Sequence, residues 1–318
     1  MNQKMKILIA YDGSECANAA LEDLKSAGLP KTAEALVMTM ADVFLPPPTN
    51  EEIDTTFPMY VPAGVKLAHE RAERKLKEAE SMAKRASEQI KQSFPEWHVR
   101  HEALADSPAW AIIRTADQWK PDLVVVGAQG HSVLGGRLIL GSISQRVLYE
   151  ASCTVRVARG RQRDGAAPLR LLIGVDNSPY SNAAIEGVCR RGWPKGTEVR
   201  LLAVVDTVMA ITPDRAQPSV VKWIEVGNED NWDEVRQLFQ PSADCLRSAG
   251  LDAAVMIRRG NPTNEILAEA ESWGADCIFV GAKGTRGIDR LLLGSVSSAV
   301  SARAHCSVEV VRPSNRTA

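Results

Sequence analysis

The chain has 318 residues, 45% hydrophobic and 24% charged, with a formal net charge of −1. At about 150 residues per domain, this length suits two globular domains with ordinary cores and excludes a disordered tail protein. The balanced charge and an aromatic content of 5% argue against a nucleic-acid binder, which needs a basic excess or stacking platforms.

No run approaches the roughly 18 apolar residues of a membrane span. The first apolar stretch, Ile7–Ala10, meets Asp12 too soon to be a signal peptide. No membrane partner is expected, and the cytoplasm is the expected location. Six cysteines, at 16, 153, 189, 245, 277 and 306, show no C-x-x-C spacing. They read as reduced, buried thiols.

In chain order, 7–11 is a continuous apolar run, as expected of a strand buried on both faces. Asp12-Gly-Ser14 is a turn, and Ser14 or Asp12 suits a helix cap. Residues 35–40 form a second strand, and the proline-rich 46–64 a loop. Ala68, Ala72, Leu76, Ala79, Ala83, Ala86 and Ile90 then recur at helical spacing in a highly charged segment. A strand over 97–103, a helix opening at Pro108, and strands over 123–126 and 155–158 complete the first half. The same order returns as strand 171–175, strand 199–205, a helix from about 232, strand 253–258, a helix from Pro262, and strands 277–280 and 308–311. Alternating strands and helices imply parallel sheets covered on both faces.

The return is a duplication. Lys6-Ile-Leu-Ile-Ala-Tyr-Asp12-Gly-Ser14 matches Arg170-Leu-Leu-Ile-Gly-Val-Asp176-Asn-Ser178. Asp122-Leu-Val-Val-Val-Gly127-Ala-Gln-Gly130 matches Asp276-Cys-Ile-Phe-Val-Gly281-Ala-Lys-Gly284. Leu140-Gly-Ser-Ile-Ser144 matches Leu293-Gly-Ser-Val-Ser297, and Cys153-Thr-Val-Arg-Val157 matches Cys306-Ser-Val-Glu-Val310. A unit this long is a duplicated domain and not a solenoid repeat. Repeat one is assigned to 1–158, a polar Gly/Pro linker to 159–168, repeat two to 169–312 and a tail to 313–318.

The chemically informative segment runs from Gly281 to Ser295. It leaves a buried strand, carries Gly281, Lys283 and Gly284, and enters a helix at Gly294-Ser295. Glycines admit close backbone approach, and the free N–H groups of a helix start favour phosphate. No G-x-x-x-x-G-K-[ST] or G-x-G-x-x-G pattern occurs. Gly127 and Gly281 can instead be plain strand-ending turns, and Asp12 and Asp176 plain caps. The four remaining histidines beside His131 show no metal-ligand spacing, and His131 itself reads as a solvated loop residue. Trp119 and Trp273 occupy matched positions and read as core or helix-packing residues. Trp223 and Trp232 can lid the crevice or merely pack the loop.

Taken together, these residues resemble the universal stress protein family, in tandem. Its nucleotide motif, G-x2-G-x9-G-[ST], is met by Gly281, Gly284, Gly294 and Ser295, and the Asp-x-Ser turn and both repeats fit as well. The resemblance implies an α/β fold, with two doubly wound parallel five-stranded sheets in the order 3-2-1-4-5, like the adenine nucleotide α-hydrolase fold. Strands 1 and 4 are then neighbours, and ligands bind at such a switch point. It further implies adenine contact by Val175 and Asp176, a base wall at Val204, ribose and phosphate approach at Gly281 and Gly284, and a phosphate tail at Gly294, Ser295, Val296 and Ser297, with Lys283 as an added charge. In repeat one the candidates are Asp12, Gly127, Gly130, Gly141, Ser142 and Ser144. There, ten residues and not nine separate Gly130 from Gly141. Either a bulge near Gly135-Gly136 absorbs the extra residue, or the helix start is displaced and the site loosened. Binding and loss of binding stand as equal readings for that half.

The implied ligand is ATP or AMP, with or without magnesium, and no protein metal site is expected. The implied function is a nucleotide-binding stress-response or regulatory protein. The alternatives are a slow ATPase and an interaction module with degenerate sites. No catalytic residue is assigned. The last strands, through Val155–Val157 and Val308–Val310, are expected to pair within the chain as a pseudo-dimer, with further homodimer pairing open to it.

Overall fold

The computed structural model describes residues 4–43, 63–129, 140–160, 167–205, 232–284 and 293–313. Repeat one comprises β1 (Met5–Ala10), α1 (Glu15–Asp23), β2 (Ala33–Ala41), α2 (Ala63–Ser93), β3 (His98–Ala105), α3 (Pro108–Trp119), β4 (Leu123–Gly127), α4 (Ser142–Glu150) and β5 (Thr154–Ala158). Repeat two comprises β6 (Arg170–Val175), α5 (Pro179–Cys189), β7 (Glu198–Val205), α6 (Trp232–Ser248), β8 (Asp252–Arg259), α7 (Pro262–Trp273), β9 (Cys277–Gly281), α8 (Ser295–Arg303) and β10 (Ser307–Val311). The expected elements are present, most shifted by one or two residues at their ends.

Each repeat has the strand order 3-2-1-4-5, all parallel. The two arrays are continuous. β5 and β10 pair antiparallel, giving one ten-stranded sheet ordered β3-β2-β1-β4-β5-β10-β9-β6-β7-β8. Adjacent residues of one strand serve opposite faces, as the pleat requires. Leu8 and Leu172 belong to a core that spans both repeats under α3, α4, α7 and α8. Ile7 and Ile9 face a separate core under α1 and α2, and Leu171 and Ile173 another under α5 and α6.

The stripe of α2 is buried from Ala72 onward, at Ala79, Ala83, Ala86 and Ile90. Ala68 is exposed and Leu76 half-buried. The helix is therefore exposed around Leu67 and Ala68 and enters the core at Ala72. No helix among the described residues is long and apolar enough to cross a membrane. Trp119 and Trp273 are half-buried and lie under cations, Lys6 and Arg100 for the first, Arg170 and Arg200 for the second.

The seam between repeats is partly ionic. Arg156 of β5 stands opposite Glu309 of β10 in the strand register, and each side chain is 1% exposed. Arg156 donates to Glu309 at 3.2 Å and, from Nε and Nη2, to both oxygens of Asp23 at 2.6 and 3.1 Å. Arg191 donates to both oxygens of Glu309. Burial alone would push the Glu309 carboxyl up, but Arg191 and Arg156 outweigh it and hold the pKa below the ordinary value. Backbone packing adds to the seam. Gly28 (φ 62°) lies under the Trp193 ring, where a Cβ would stand 2.7 Å from ring carbons.

Candidate functional site

The crevice at the carboxyl ends of β6 and β9 is built from two turns. The first leaves β6 at Val175. Asp176 Oδ1 accepts the Ser178 N–H at 3.1 Å, and Asn177 takes φ 59°, a left-handed conformation that Asn and Gly tolerate best. Ser178 then caps α5, accepting the Ser181 N–H at 3.1 Å. Repeat one repeats this, with Asp12 Oδ1 accepting the Ser14 N–H at 3.0 Å, Gly13 at φ 76° and Ser14 capping α1. The serines are thus the helix caps, and the aspartates brace the turns before them. The Asn177/Gly13 pair was visible in the sequence as the two residue types that accept positive φ at one matched position.

The second turn leaves β9. Gly281 packs against the first turn of α5, where an added Cβ would fall 2.7 Å from Tyr180 Cβ, 2.8 Å from the Tyr180 carbonyl carbon and 2.9 Å from the Ser181 nitrogen. Close helix packing therefore explains this glycine by itself. Gly284 has a different environment. A Cβ there would meet Asp176 Oδ2 at 2.6 Å and, among the described residues, no other group so closely. This places Gly284 against Asp176, so the two turns converge. Ser178 Oγ completes the convergence by donating to the Lys283 carbonyl at 3.4 Å.

The start of α8 is tied to the same strand end. Gly294 N–H donates to the Ala282 carbonyl at 2.7 Å, and Ser297 Oγ donates to the Gly281 carbonyl at 2.6 Å. Gly294 is the extended residue before the helix, with no side-chain cap. Ser295 is exposed, Val296 half-buried and Ser297 3% exposed. The Ser297 hydroxyl proton is thus committed to the protein, whereas Ser295 faces outward at a helix start with its positive dipole end. Val204 lies near the end of β7, half-buried beside the core, and Lys283 is half-buried next to Gly284.

Repeat one has matching bonds. Gly141 N–H donates to the Ala128 carbonyl at 2.8 Å, and Ser144 Oγ to the Gly127 carbonyl at 2.6 Å. The additional residue between these points does not displace the start of α4, because the helix is anchored to β4 as α8 is to β9. Ser142 is exposed. Gly130, His131, Gly135, Gly136 and Trp223 lie outside the described residues. Two groups that sequence reasoning passed over also stand at this end of repeat one. Tyr11 occupies the position of Val175 and donates to Asn18 at 2.6 Å, and Met82 Sδ of α2 lies where a Cβ on Gly13 would come within 3.0 Å. Burial, chiefly, raises the Tyr11 pKa above the ordinary phenolic value. Among the described residues no group of three His, Cys, Asp or Glu side chains could hold a metal ion.

The two tethering serines allow a separation of roles. Ser297→Ala leaves the Gly281 carbonyl without its buried partner and is expected to lower stability by about 1–2 kcal/mol. Ser295→Ala, at an exposed position, is expected to change stability by less than about 0.5 kcal/mol. Urea unfolding of the two variants checks the contrast.

A sequence model described as the universal stress protein family matches residues 4–159 and again 169–312. A universal stress protein of Mycolicibacterium smegmatis is 30% identical over 226 residues, 68% of this chain and 69% of the relative. One of Methanocaldococcus jannaschii is 30% identical over 143 residues, 45% of this chain and 81% of the relative. Among solved structures, a universal stress protein from Archaeoglobus fulgidus superposes with a TM-score of 0.60 at 19% identity, covering 98% of this chain and 99% of its own. At that identity the likeness speaks for the fold, including the tandem arrangement along the whole chain.

Proposed function

Because the chain belongs to the universal stress protein family, we propose that it is an adenine-nucleotide-binding regulatory protein of the stress response, acting in the cytoplasm. The ligand, ATP or AMP, sits at the crevice of β6 and β9. One observation carries this reading. Gly284, which no helix packing requires, lies against Asp176, next to an uncapped helix start at Gly294-Ser295. That arrangement supports a base and ribose held near Val175, Asp176 and Val204, and phosphates received by backbone N–H groups near Gly294, Ser295 and Val296, with Lys283 adding charge. Magnesium, where it takes part, accompanies the phosphates.

Matched anchoring of α4 in repeat one supports a second site at Asp12, Gly127, Gly130, Gly141, Ser142 and Ser144. Tyr11 in place of Val175 and the additional loop residue set repeat one apart from the family pattern, which favours repeat two as the primary site. A pure interaction module is the second reading, favoured by the fully committed Ser144 and Ser297 hydroxyls.

Calorimetric titration of the full chain with ATP, ADP and AMP, with mass spectrometry of the denatured protein for retained nucleotide, tests the proposal. Binding weakened tenfold or more by Gly294→Val supports it. Absence of both heat and retained nucleotide leaves the interaction module.

A further inference from the structure

The six cysteines are free thiols, but they are not equivalent. Cys277 and Cys306 are buried among core side chains, and Cys16 and Cys153 are half-buried singly. Cys189, the last residue of α5, and Cys245, on α6, face each other with Sγ atoms 3.0 Å apart. This is already closer than two sulfurs rest in ordinary contact, and a shift of about 1 Å brings them to bonding distance. In repeat one, α1 and α2 are bridged instead by Gln89 donating to Glu22 at 3.2 Å, so a cysteine pair at this junction is particular to repeat two.

We propose that Cys189 and Cys245 form a redox site, at which a hydroperoxide converts the two thiols into a disulfide joining α5 to α6. Cys245 is exposed and Cys189 half-buried, so the peroxide reaches Cys245 first. The Cys245 sulfur attacks the peroxide, its O–O bond breaks, and sulfenic acid and one water (or alcohol) form. The Cys189 sulfur then attacks the sulfenic sulfur. The S–S bond forms, the S–O bond breaks, and the departing hydroxide leaves as water with the Cys189 proton. Two thiols are oxidised and one peroxide is reduced. Burial, first, and the hydrogen bond to Cys245 push the Cys189 thiol up to about 12, so Cys189 is the less reactive of the two and gives up its proton only as the hydroxide departs in the second step. The consequence is mechanical. α5 begins at the Asp176-Asn-Ser turn and ends at Cys189, so the bond fixes the far end of the helix that carries the candidate site, and encloses the chain from β7 into α6.

The test is treatment of the full-length protein with hydrogen peroxide, then denaturation, alkylation and peptide mapping. The expected result is a single reducible cross-link between the Cys189 and Cys245 peptides, within one chain, with the other four cysteines alkylated. The oxidised protein should melt about 5 °C or more higher than the reduced protein, and Cys245→Ser should show neither the cross-link nor the rise. In Cys189→Ser, Cys245 should accumulate as a dimedone-reactive sulfenic acid. Six alkylatable thiols after treatment, sulfinic acid at Cys245 with Cys189 still a thiol, or cross-links between chains would each overturn the proposal. None of these readouts depends on nucleotide binding.

Discussion

Arg156→Met is expected to lower the stability of the chain by about 3–5 kcal/mol. Arg156 is fully enclosed and serves two carboxylates, Asp23 and Glu309, at 2.6–3.2 Å. Its removal leaves Asp23 without its charge partner at the seam, although Ser307 Oγ still donates to it at 2.7 Å. Glu309→Met is expected to cost a similar amount, because it leaves Arg156 and Arg191 facing each other. The double variant should lose less than the sum, because the two central charges then leave the dry seam together. Chemical denaturation of the four proteins gives the coupling directly, and additive losses would mean that the pair is not coupled. A pH limb follows from the depressed Glu309 pKa. Its contribution to stability is fully present above the unfolded carboxylate pKa of about 4.3 and is lost as pH falls through the lower folded value. Glu309→Gln should remove that acid limb from a pH–stability curve.

Gly281→Ala and Gly284→Ala are expected to divide stability from binding. At Gly281 the new methyl would fall within 2.9 Å of backbone atoms of α5, which cannot yield as a flexible side chain can. A loss of about 2–3 kcal/mol is expected, at the upper end for overpacking. Gly127→Ala should cost less, because the nearest atoms there, in Cys16, stand at 3.2 Å. At Gly284 the close neighbour among the described residues is a carboxylate oxygen of Asp176, the end of a side chain that can turn where backbone cannot. Stability should change by less than about 1 kcal/mol, while nucleotide affinity falls tenfold or more because the crevice narrows and Asp176 is moved. Melting curves with and without ATP check both halves. An unchanged affinity for Gly284→Ala would remove the ligand from this crevice.

Much of the architecture was legible because buried parallel strands leave unmistakable apolar runs. Residues 7–9 and 171–173 needed no structure to be recognised, the matched blocks carried the element sequence from one half to the other, and the family resemblance implied the strand order 3-2-1-4-5. The start of α2 was legible to within two residues, since the proline-rich loop was drawn to 64 and the helix begins at Ala63. The site was readable as a list of glycines but not as a geometry. Spacing could not separate Gly281, required by helix packing, from Gly284, which is not. Nor could it show that Ser297 and Ser144 spend their protons on backbone carbonyls. The tenth residue in the repeat-one loop left two readings open, a bulge that absorbs it or a displaced helix, and the Gly141–Ala128 and Ser144–Gly127 bonds decide against displacement by keeping α4 in place. The ionic seam was invisible for a simpler reason. Asp23, Arg156, Arg191 and Glu309 are remote in sequence, and single charged residues in a strand or after a helix give no signal of being buried together.

Arg156 and Glu309 occupy the same position of the duplicated block, and they stand opposite each other across the antiparallel pair. A local two-fold axis therefore passes between them, and a residue on such an axis meets its own counterpart. Two copies of repeat one joined there would set arginine against arginine, each balanced by its own Asp23, and two copies of repeat two would set glutamate against glutamate, each balanced by its own Arg191. Only the unlike pairing adds an attraction across the axis itself. The halves have become plug and socket: each retains the shape of a partner to itself, but a direct ion pair across the axis forms only with the other half. The tether between them then supplies the complementary mate at high local concentration, so that a stranger chain carrying the same seam must displace a partner already in place.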